Sequence, residues 1–124
     1  MKPVARTALL MSLVIAPVAI GACQASPPGA PTVVFEEMRF VPNRLDAMVG
    51  EPLRVTLINK GRERHDLSFP ALHMPGLQGL EAILEPGETR TITLTFDRPG
   101  THTFQCSVPG HAISGMTGAV FVRP

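Results

Sequence analysis

The feature that most constrains this chain is a short segment near its C-terminus with three side chains able to bind a soft metal. Cys106, His111 and Met116 are spaced five positions apart in Cys-Ser-Val-Pro-Gly-His-Ala-Ile-Ser-Gly-Met. The Pro-Gly pair before the histidine predicts a loop. One Cys and two His in a trigonal plane, with a weak axial Met, form the site that holds electron-transfer copper. The loop supplies three of these four groups, so the fold must bring a second His to it.

His65 is the candidate for that second imidazole. It begins a short apolar segment, whereas Cys106 ends a predicted strand. If the two segments run antiparallel, both residues lie at the same end of the fold, where the Cys-His-Met loop also turns. A plainer interpretation also exists for each residue, because a lone Cys is commonly a small buried hydrophobe and a His after a turn is commonly on the surface.

The other two histidines are weaker candidates. Four residues of strand separate His102 from Cys106, roughly 13 Å at about 3.3 Å per residue, which is too far to share one metal. We therefore predict a half-buried His102 with its hydrogen bonds satisfied. His73 and Met74 could bind a second copper ion, but a solvated His73 is the simpler prediction.

The N-terminus has the pattern of an export signal. Lys2 and Arg6 precede an uncharged apolar run, residues 8–20, that is too short to span a membrane comfortably. The run ends in Ile-Gly-Ala-Cys23, which resembles the lipobox of bacterial lipoproteins and implies cleavage before Cys23 and lipid on its sulfur. We expect a signal peptide at 1–22, a lipidated Cys and Pro-rich tether at 23–31, and one domain at 32–124. The alternative is an ordinary secretory signal with an incidental Cys.

The cysteine count supports this interpretation. Two Cys in an exported protein would be expected to pair. Lipidation removes the thiol of Cys23 and leaves Cys106 alone in an oxidising compartment, where a bound copper ion would protect it. We expect the chain to be anchored by lipid to the outer face of the cytoplasmic membrane, or to an outer membrane facing the periplasm.

Charge excludes one class of partner. Without Lys2 and Arg6, nine of the 11 basic residues remain against 10 acidic ones. This near balance, with no basic cluster of the kind that binds nucleic acid, predicts no nucleic-acid partner.

We expect the protein to be a monomer.

The rest of the sequence predicts strands. Residues 89–96 alternate apolar and polar side chains and are rich in β-branched types, and Pro/Gly turns separate the other candidates. Residues 71–84 form the one long irregular stretch and could include a short helical turn. The pattern predicts an all-β Greek-key β-sandwich or barrel of about seven to eight strands, with strands at 32–40, 44–49, 53–58, 66–69, 89–96, 101–106 and 119–122.

These pieces together resemble the single-domain cupredoxins, the blue copper proteins that include azurin, auracyanin and plastocyanin. The matching residues are Asn59 followed by His65-Asp66, then Gly-Thr-His-Thr-Phe-Gln-Cys106, then Cys-x-x-Pro-Gly-His with Gly-Met116. The resemblance implies a Greek-key sandwich that transfers single electrons without bond chemistry. It also implies one copper ion, with three equatorial ligands and one axial ligand at His65, Cys106, His111 and Met116.

Two departures from the family pattern concern the surroundings of the ligands. Asp66 stands where azurin-like members usually have Asn, and His102 stands where many relatives have Tyr. Metal sites depend on neighbours that orient the ligands. Residues expected to support the ligands in this way, by joining the two ligand segments or shaping the loop, are Asn59, Asp66, Ser107, Pro109 and Gly110.

We therefore expect a membrane-tethered carrier that passes single electrons between transient redox partners, with His111 as the exit. An apolar collar around His111 is expected to form the docking patch, and its residues are Met74, Pro75, Leu77, Ala112 and Ile113.

Other functions are possible for the same motif. A copper chaperone or buffer would need the same ligands and stays open. A copper oxidase or nitrite reductase would need further His ligands, and the sequence has no His-x-His pair. A Cys-His hydrolase would leave Met116 and His65 without a role, and a binuclear copper site would need a second Cys on the loop. We expect no enzymatic activity.

Overall fold

The protein is built from short strands whose side chains alternate between the interior and the surface. In Leu53–Asn59, for example, Val55, Leu57 and Asn59 face inward. The computed structural model describes residues 29–124. The seven strands of this range are β1 Thr32–Glu36, β2 Arg39–Val41, β3 Arg44–Met48, β4 Leu53–Asn59, β5 Thr89–Leu94, β6 Gly100–Gln105 and β7 Thr117–Arg123. The expected signal peptide and Cys23 lie outside these residues. Within 29–124, no helix is long and apolar enough to cross a membrane.

The strands form two mixed sheets. One has the order β2-β1-β4-β5 and the other β3-β7-β6. Within them β1 pairs parallel with β4 and β3 parallel with β7, while the remaining pairs are antiparallel. The two inner faces enclose one core, in which Phe104 contacts Phe40 and Phe69 edge to face at centroid distances of 5.1 and 5.8 Å. The expected all-β Greek-key sandwich is confirmed.

Two predicted strands differ from the structure. Residues 32–40 were expected to form one strand, but the chain turns at Met38, whose φ is 59°, and β1 and β2 form a hairpin in which Phe35 pairs with Phe40. Residues 66–69 were also expected to form a strand, but the backbone makes only isolated bridges there, at His65 and Ser68. The short helical turn expected within 71–84 is present as a 3-10 helix at Gly79–Ala82.

This topology brings two loops to one end of the sandwich. The loop of residues 106–116 connects β6 to β7, because Gln105 pairs with Thr117. Ser68 bridges Gln105 in antiparallel orientation, which is the condition under which the sequence places His65 and Cys106 at the same end. The chain that leaves β4 at Asn59 therefore passes beside the start of the loop, and His65 lies next to Cys106.

Candidate metal centre

Three metal-binding side chains converge at this end of the sandwich. The Nδ1 atoms of His65 and His111 are 3.1 Å apart, and Cys106 Sγ lies 3.9 Å from the first and 3.5 Å from the second. In residues 29–124 these three residues form the one cluster of His, Cys or acidic side chains compact enough to hold a metal ion. His65 and Cys106 are fully buried, and His111 is 4% exposed.

The spacing of the three donor atoms fits a single ion. Bonds of about 2.0 Å to nitrogen and about 2.3 Å to sulfur, the lengths that zinc makes, would place the donors of a trigonal ion about 3.5–3.7 Å apart. The observed distances between the donor atoms, 3.1, 3.5 and 3.9 Å, bracket this range. Two imidazole lone pairs that face each other at 3.1 Å repel unless a proton or a cation lies between them. A thiol with two imidazoles is the donor set that suits copper.

Backbone hydrogen bonds close the loop that carries two of these donors. Cys106 N donates to Met116 O at 3.1 Å, and Met116 N donates to His111 O at 3.1 Å. His111 N in turn donates to Val108 O at 3.1 Å, which makes a tight turn in which Gly110 has a φ of 88°. Pro109 and Gly110 are exposed on this turn. The Met116 side chain is fully buried, so the loop holds it at the same end of the sandwich as the three donors.

Asp66 and Ser107 join the two ligand segments directly. The Asp66 carboxylate accepts hydrogen bonds from Ser107 N and from Ser107 Oγ, each at 2.5 Å. These two residues follow His65 and Cys106 in the sequence, so the bonds fix one ligand relative to the other. Asp66 is 1% exposed, and a buried carboxylate that accepts two hydrogen bonds is held firmly in place.

Asn59 fixes the loop that leads to His65. Its Nδ2 donates to Glu63 O at 2.8 Å and to Leu84 O at 2.9 Å, while its Oδ1 accepts from Gly61 N at 2.9 Å. His65 itself exchanges backbone hydrogen bonds with Leu84 at 3.1 and 2.8 Å. The fully buried Asn59 therefore acts on the path of the backbone and not on the metal site directly.

Burial also sets the protonation of the donors. Burial raises the pKa of the Cys106 thiol from 9.0 to about 11, so without a metal this thiol is neutral at pH 7. Burial, and then the nearby His111, lower the pKa of His65, so its imidazole favours the neutral form that a metal requires. Copper must displace the proton of Cys106 when it binds.

A carboxylate lies behind one of the two histidines. Glu63 Oε2 is 3.0 Å from His111 Nε2, on the side of the ring opposite Cys106. Glu63 was not among the site residues predicted from the sequence. It stands in Lys-Gly-Arg-Glu-Arg, where an exposed Glu looks like any solvated charge. Its place two residues before His65 is the one signal that could have drawn attention to it.

The remaining histidines lie away from this cluster. The His102 ring is partly buried against Phe96, with centroids 4.9 Å apart, and its Nε2 is 3.0 Å from Arg98 O. This agrees with the expected hydrogen-bonded, half-buried residue. His73 is exposed, as predicted, and shares a surface groove with residues 95–98, beside His102.

The predicted docking patch needs correction. Met74 and Leu77 are buried in the hydrophobic core, with 9% and 2% exposure, and they present no collar to a partner. The reason is that the chain after Phe69 runs along β6, away from Cys106, to a place where Met74 lies beside residues 95–98, and both apolar side chains pack into the core. Pro75 is exposed in the same stretch. At the metal end, Ile113 is 93% exposed and Ala112 is partly exposed.

The fold and donor set define a cupredoxin. The family model of the cupredoxin-like domain matches residues 7–117 of the chain, and the chain belongs to this family. The resemblance drawn from the Cys-x-x-Pro-Gly-His loop is therefore confirmed. Together, the family and the three converging donors indicate one copper ion as the cofactor.

Individual relatives share parts of the chain. Copper-resistant cuproprotein CopI of Rubrivivax gelatinosus is 30% identical over 106 residues, which are 73% of this chain and 64% of CopI. Auracyanin-B of Chloroflexus aurantiacus is 34% identical over 58 residues, 47% of this chain and 25% of that protein. The chain thus spans less than two thirds of the length of either relative.

A solved structure shows the same fold. The dithionite-reduced auracyanin of the photosynthetic bacterium Roseiflexus castenholzii matches with a TM-score of 0.65 at 22% identity. The match covers 76% of this chain and 96% of that one. At this identity the likeness concerns the arrangement of strands.

Proposed function

We propose that this protein is a mononuclear blue copper protein that carries single electrons between redox partners outside the cytoplasmic membrane. The observation that carries the proposal is the burial of the donors, which are 0%, 0% and 4% exposed at His65, Cys106 and His111. A substrate cannot reach a metal enclosed in this way, whereas an electron can pass through the ligands. The proposed ligand set is the three donors with Met116 as a weak axial ligand.

The chain's own residues supply what an electron carrier needs. Copper, when bound, would supply the one-electron couple. The Cys106 thiolate would couple it to the protein, and the exit is proposed at His111, which precedes the exposed Ile113 on the loop. The cross-linked loops would keep the donors in place during a change of charge, so little energy is spent on reorganisation. Encounters with redox partners through so small an exposed surface would be transient.

The proposal includes a lipid anchor at Cys23. The apolar run before it and the small residues next to it support processing as a lipoprotein. Two acyl chains give stable anchoring where one chain gives reversible binding. The full-length chain should partition with membranes, whereas Cys23→Ser should remain uncleaved or appear in the soluble fraction. A free thiol at Cys23 in the intact mass of the mature protein would contradict the anchor.

Copper reconstitution tests the central proposal. The metal-free chain should take up one copper ion and, as Cu(II), show an intense visible thiolate-to-copper band. Voltammetry should then give a reversible one-electron wave with fast electron exchange. A colourless Cu(II) form, or a wave that requires loss of the metal, would contradict a blue copper carrier.

A copper buffer or chaperone is the second candidate, and the similarity to a copper-resistant cuproprotein favours it. Both functions use the same donors, but they differ in what leaves the protein. Two experiments on the copper-loaded protein distinguish these functions. One mixes the protein with a copper chelator of matched affinity, and the other mixes it with an electron acceptor. Fast electron exchange with slow copper loss supports the carrier, and the reverse supports the buffer.

The proposal excludes catalysis on copper. A catalytic copper would need further imidazoles, and the two that remain, His73 and His102, lie near residues 95–98 at the other end of the sandwich. Assays of the loaded protein for nitrite reduction and for oxidase activity should give no turnover above free copper. Turnover that depends on Cys106 would overturn this part of the proposal.

A further inference from the structure

We propose that Glu63 is a positioning residue for the copper ligand His111, and that its carboxylate favours Cu(II) over Cu(I) at this site. This inference rests on the proposed copper function. The relevant observation is the contact of Glu63 Oε2 with His111 Nε2 at 3.0 Å, while His111 Nδ1 lies 3.5 Å from Cys106 Sγ. The two nitrogens of one ring therefore face the carboxylate and the metal cluster respectively.

This arrangement selects one tautomer of His111. A carboxylate oxygen only accepts hydrogen bonds, so the proton of the neutral ring must be on Nε2. Nδ1 is then left with its lone pair directed at the cluster. A ligand histidine commonly gives its second N–H to an oxygen acceptor, which fixes the orientation of the ring and makes it a stronger donor. Here the acceptor is a carboxylate oxygen.

Glu63 is held in place by its backbone. Asn59 Nδ2 donates to Glu63 O at 2.8 Å and also to Leu84 O at 2.9 Å. Asn59 is fully buried, so it ties the backbone of Glu63 to the residue that pairs with His65. Among residues 29–124, no salt bridge joins Glu63 to a Lys or an Arg. Its carboxylate is therefore not shared with Arg62 or Arg64 on either side.

The other ligand histidine shows the contrast. His65 Nε2 is buried and has no hydrogen-bond partner among the protein atoms of residues 29–124. A Cβ added at Gly61 would lie 2.9 Å from that nitrogen and 2.8 Å from Glu37 Oε1, so a side chain at this position would occupy the space between them. His65 therefore lacks the direct carboxylate contact that His111 has. The direct contact of Glu63 is therefore with His111 and not with His65.

A negative charge close to the metal stabilises the more highly charged ion. Cu(II) gains more from it than Cu(I), so the carboxylate should lower the reduction potential. Changes to residues that contact a metal ligand in this way typically cost 10–100-fold in metal affinity. Because the Glu63 side chain is 57% exposed, we expect the lower end of that range. A tenfold change in the ratio of the two affinities corresponds to about 59 mV for a one-electron couple.

The experiment compares full-length Glu63→Gln, Glu63→Ala and Glu51→Gln. Glu51→Gln removes the same charge from an exposed position just before β4, at the end of the strand opposite Asn59. Glu63→Gln should weaken Cu(II) binding about tenfold, leave Cu(I) binding unchanged and so raise the potential by about 59 mV. Glu63→Ala should shift the potential at least as far, and Glu51→Gln should leave it close to the wild-type value. Equal potentials for Glu63→Gln and Glu51→Gln would overturn the proposal.

A second measurement needs no copper. In the metal-free chain labelled with nitrogen-15 at histidine, His111 should show the Nε2–H tautomer, and Glu63→Ala should mix the two tautomers. An unchanged tautomer in Glu63→Ala would also overturn the proposal. If the wild-type protein is blue and redox-active but its reduction potential does not change in the Glu63 variants, the copper function stands and the proposed role of Glu63 fails. If the chain binds no copper, the proposed function fails, and the tautomer still tests the contact.

Discussion

The two ends of the sandwich have similar side chains, yet only one end brings them together. At one end Cys106, His65 and His111 place their donor atoms within 3.9 Å of one another. At the other end, His73 and His102 both lie near residues 95–98, but His73 is exposed and His102 hydrogen-bonds to Arg98 O. The presence of imidazole and sulfur therefore does not make a metal centre.

What differs is the cross-linking of the backbone. The metal end is tied by the bonds of Cys106 to Met116 and of Asp66 to Ser107. These bonds fix donors from two distant parts of the chain before any ion arrives. A preformed set of donors spares the metal the cost of ordering them. Substitutions matched between the two ends can test this comparison.

The largest expected effect is at the thiolate. Cys106→Ala removes the one free thiol of residues 29–124, so the Cu(II) form should lose the intense blue band completely. His102→Ala, at the other end, should keep both the band and the copper stoichiometry. Visible absorption of the two copper-loaded variants provides the measurement. A band that survives in Cys106→Ala would remove the distinction between the two ends.

The next effect concerns the link between the ligand segments. Asp66→Ala leaves two Ser107 donors without their charged acceptor, so the free energy of unfolding of the metal-free protein should fall by about 3 kcal/mol. Asp97→Ala removes a carboxylate that is exposed at the other end, and it should change the free energy of unfolding by no more than about 0.5 kcal/mol. Urea unfolding followed by circular dichroism measures both. Equal losses would show that the link at the metal end is not special.

A smaller effect is expected at the thioether. An axial sulfur is a weak, long ligand that tunes the potential more than it holds the metal. Met116→Leu should keep copper and colour and raise the reduction potential by about 59 mV, a tenfold shift in the one-electron equilibrium. Met116→Gln should lower it. The control is Met74→Leu, also buried but in the other part of the core, and voltammetry should find its potential unchanged. Loss of metal in both Met116 variants would contradict axial ligation.

The smallest effect is expected at the exposed surface near the exit. Ile113→Asp places a charge on a side chain that is 93% exposed, so copper affinity and potential should stay the same. Electron exchange with a physiological partner should slow about fivefold, equivalent to ~1 kcal/mol of lost docking energy. Leu80→Asp alters another exposed apolar residue, 83% exposed on the 3-10 helix, and should not slow it. Stopped-flow kinetics measures the rates, and equal slowing in both would argue against docking at Ile113.

The sequence predicted most of the fold because periodicity survives tertiary packing. The alternation in residues 89–96 matches β5, Thr89–Leu94, to within two residues. The hairpin after β1 was missed because Met38 adopts a positive φ without the Gly or Asn that usually marks such a turn. Residues 66–69 look like a strand because Leu67 and Phe69 are core residues, but the backbone beside them pairs only at single points.

The site was predictable to the extent that its residues are close in sequence. Cys106, His111 and Met116 share one loop, and their spacing alone suggests a metal. Glu63 was not predictable, since its contact with His111 joins residues 48 positions apart and depends on how Asn59 bends the intervening backbone. The mistaken collar has a related cause, because an apolar residue such as Met74 or Leu77 looks the same in a sequence whether it faces a partner or the core.

The burial of Cys106 has a consequence for the life of the protein before copper arrives. Oxidants and disulfides react with the thiolate and not with the neutral thiol. Because burial raises the pKa of the thiol to about 11, the neutral form predominates at pH 7, and the fully buried sulfur is out of reach of most reagents. A newly folded, metal-free chain would therefore keep its sulfur chemically intact even under oxidising conditions. The same enclosure that would shield the metal from substrates thus also preserves the empty protein until it is loaded.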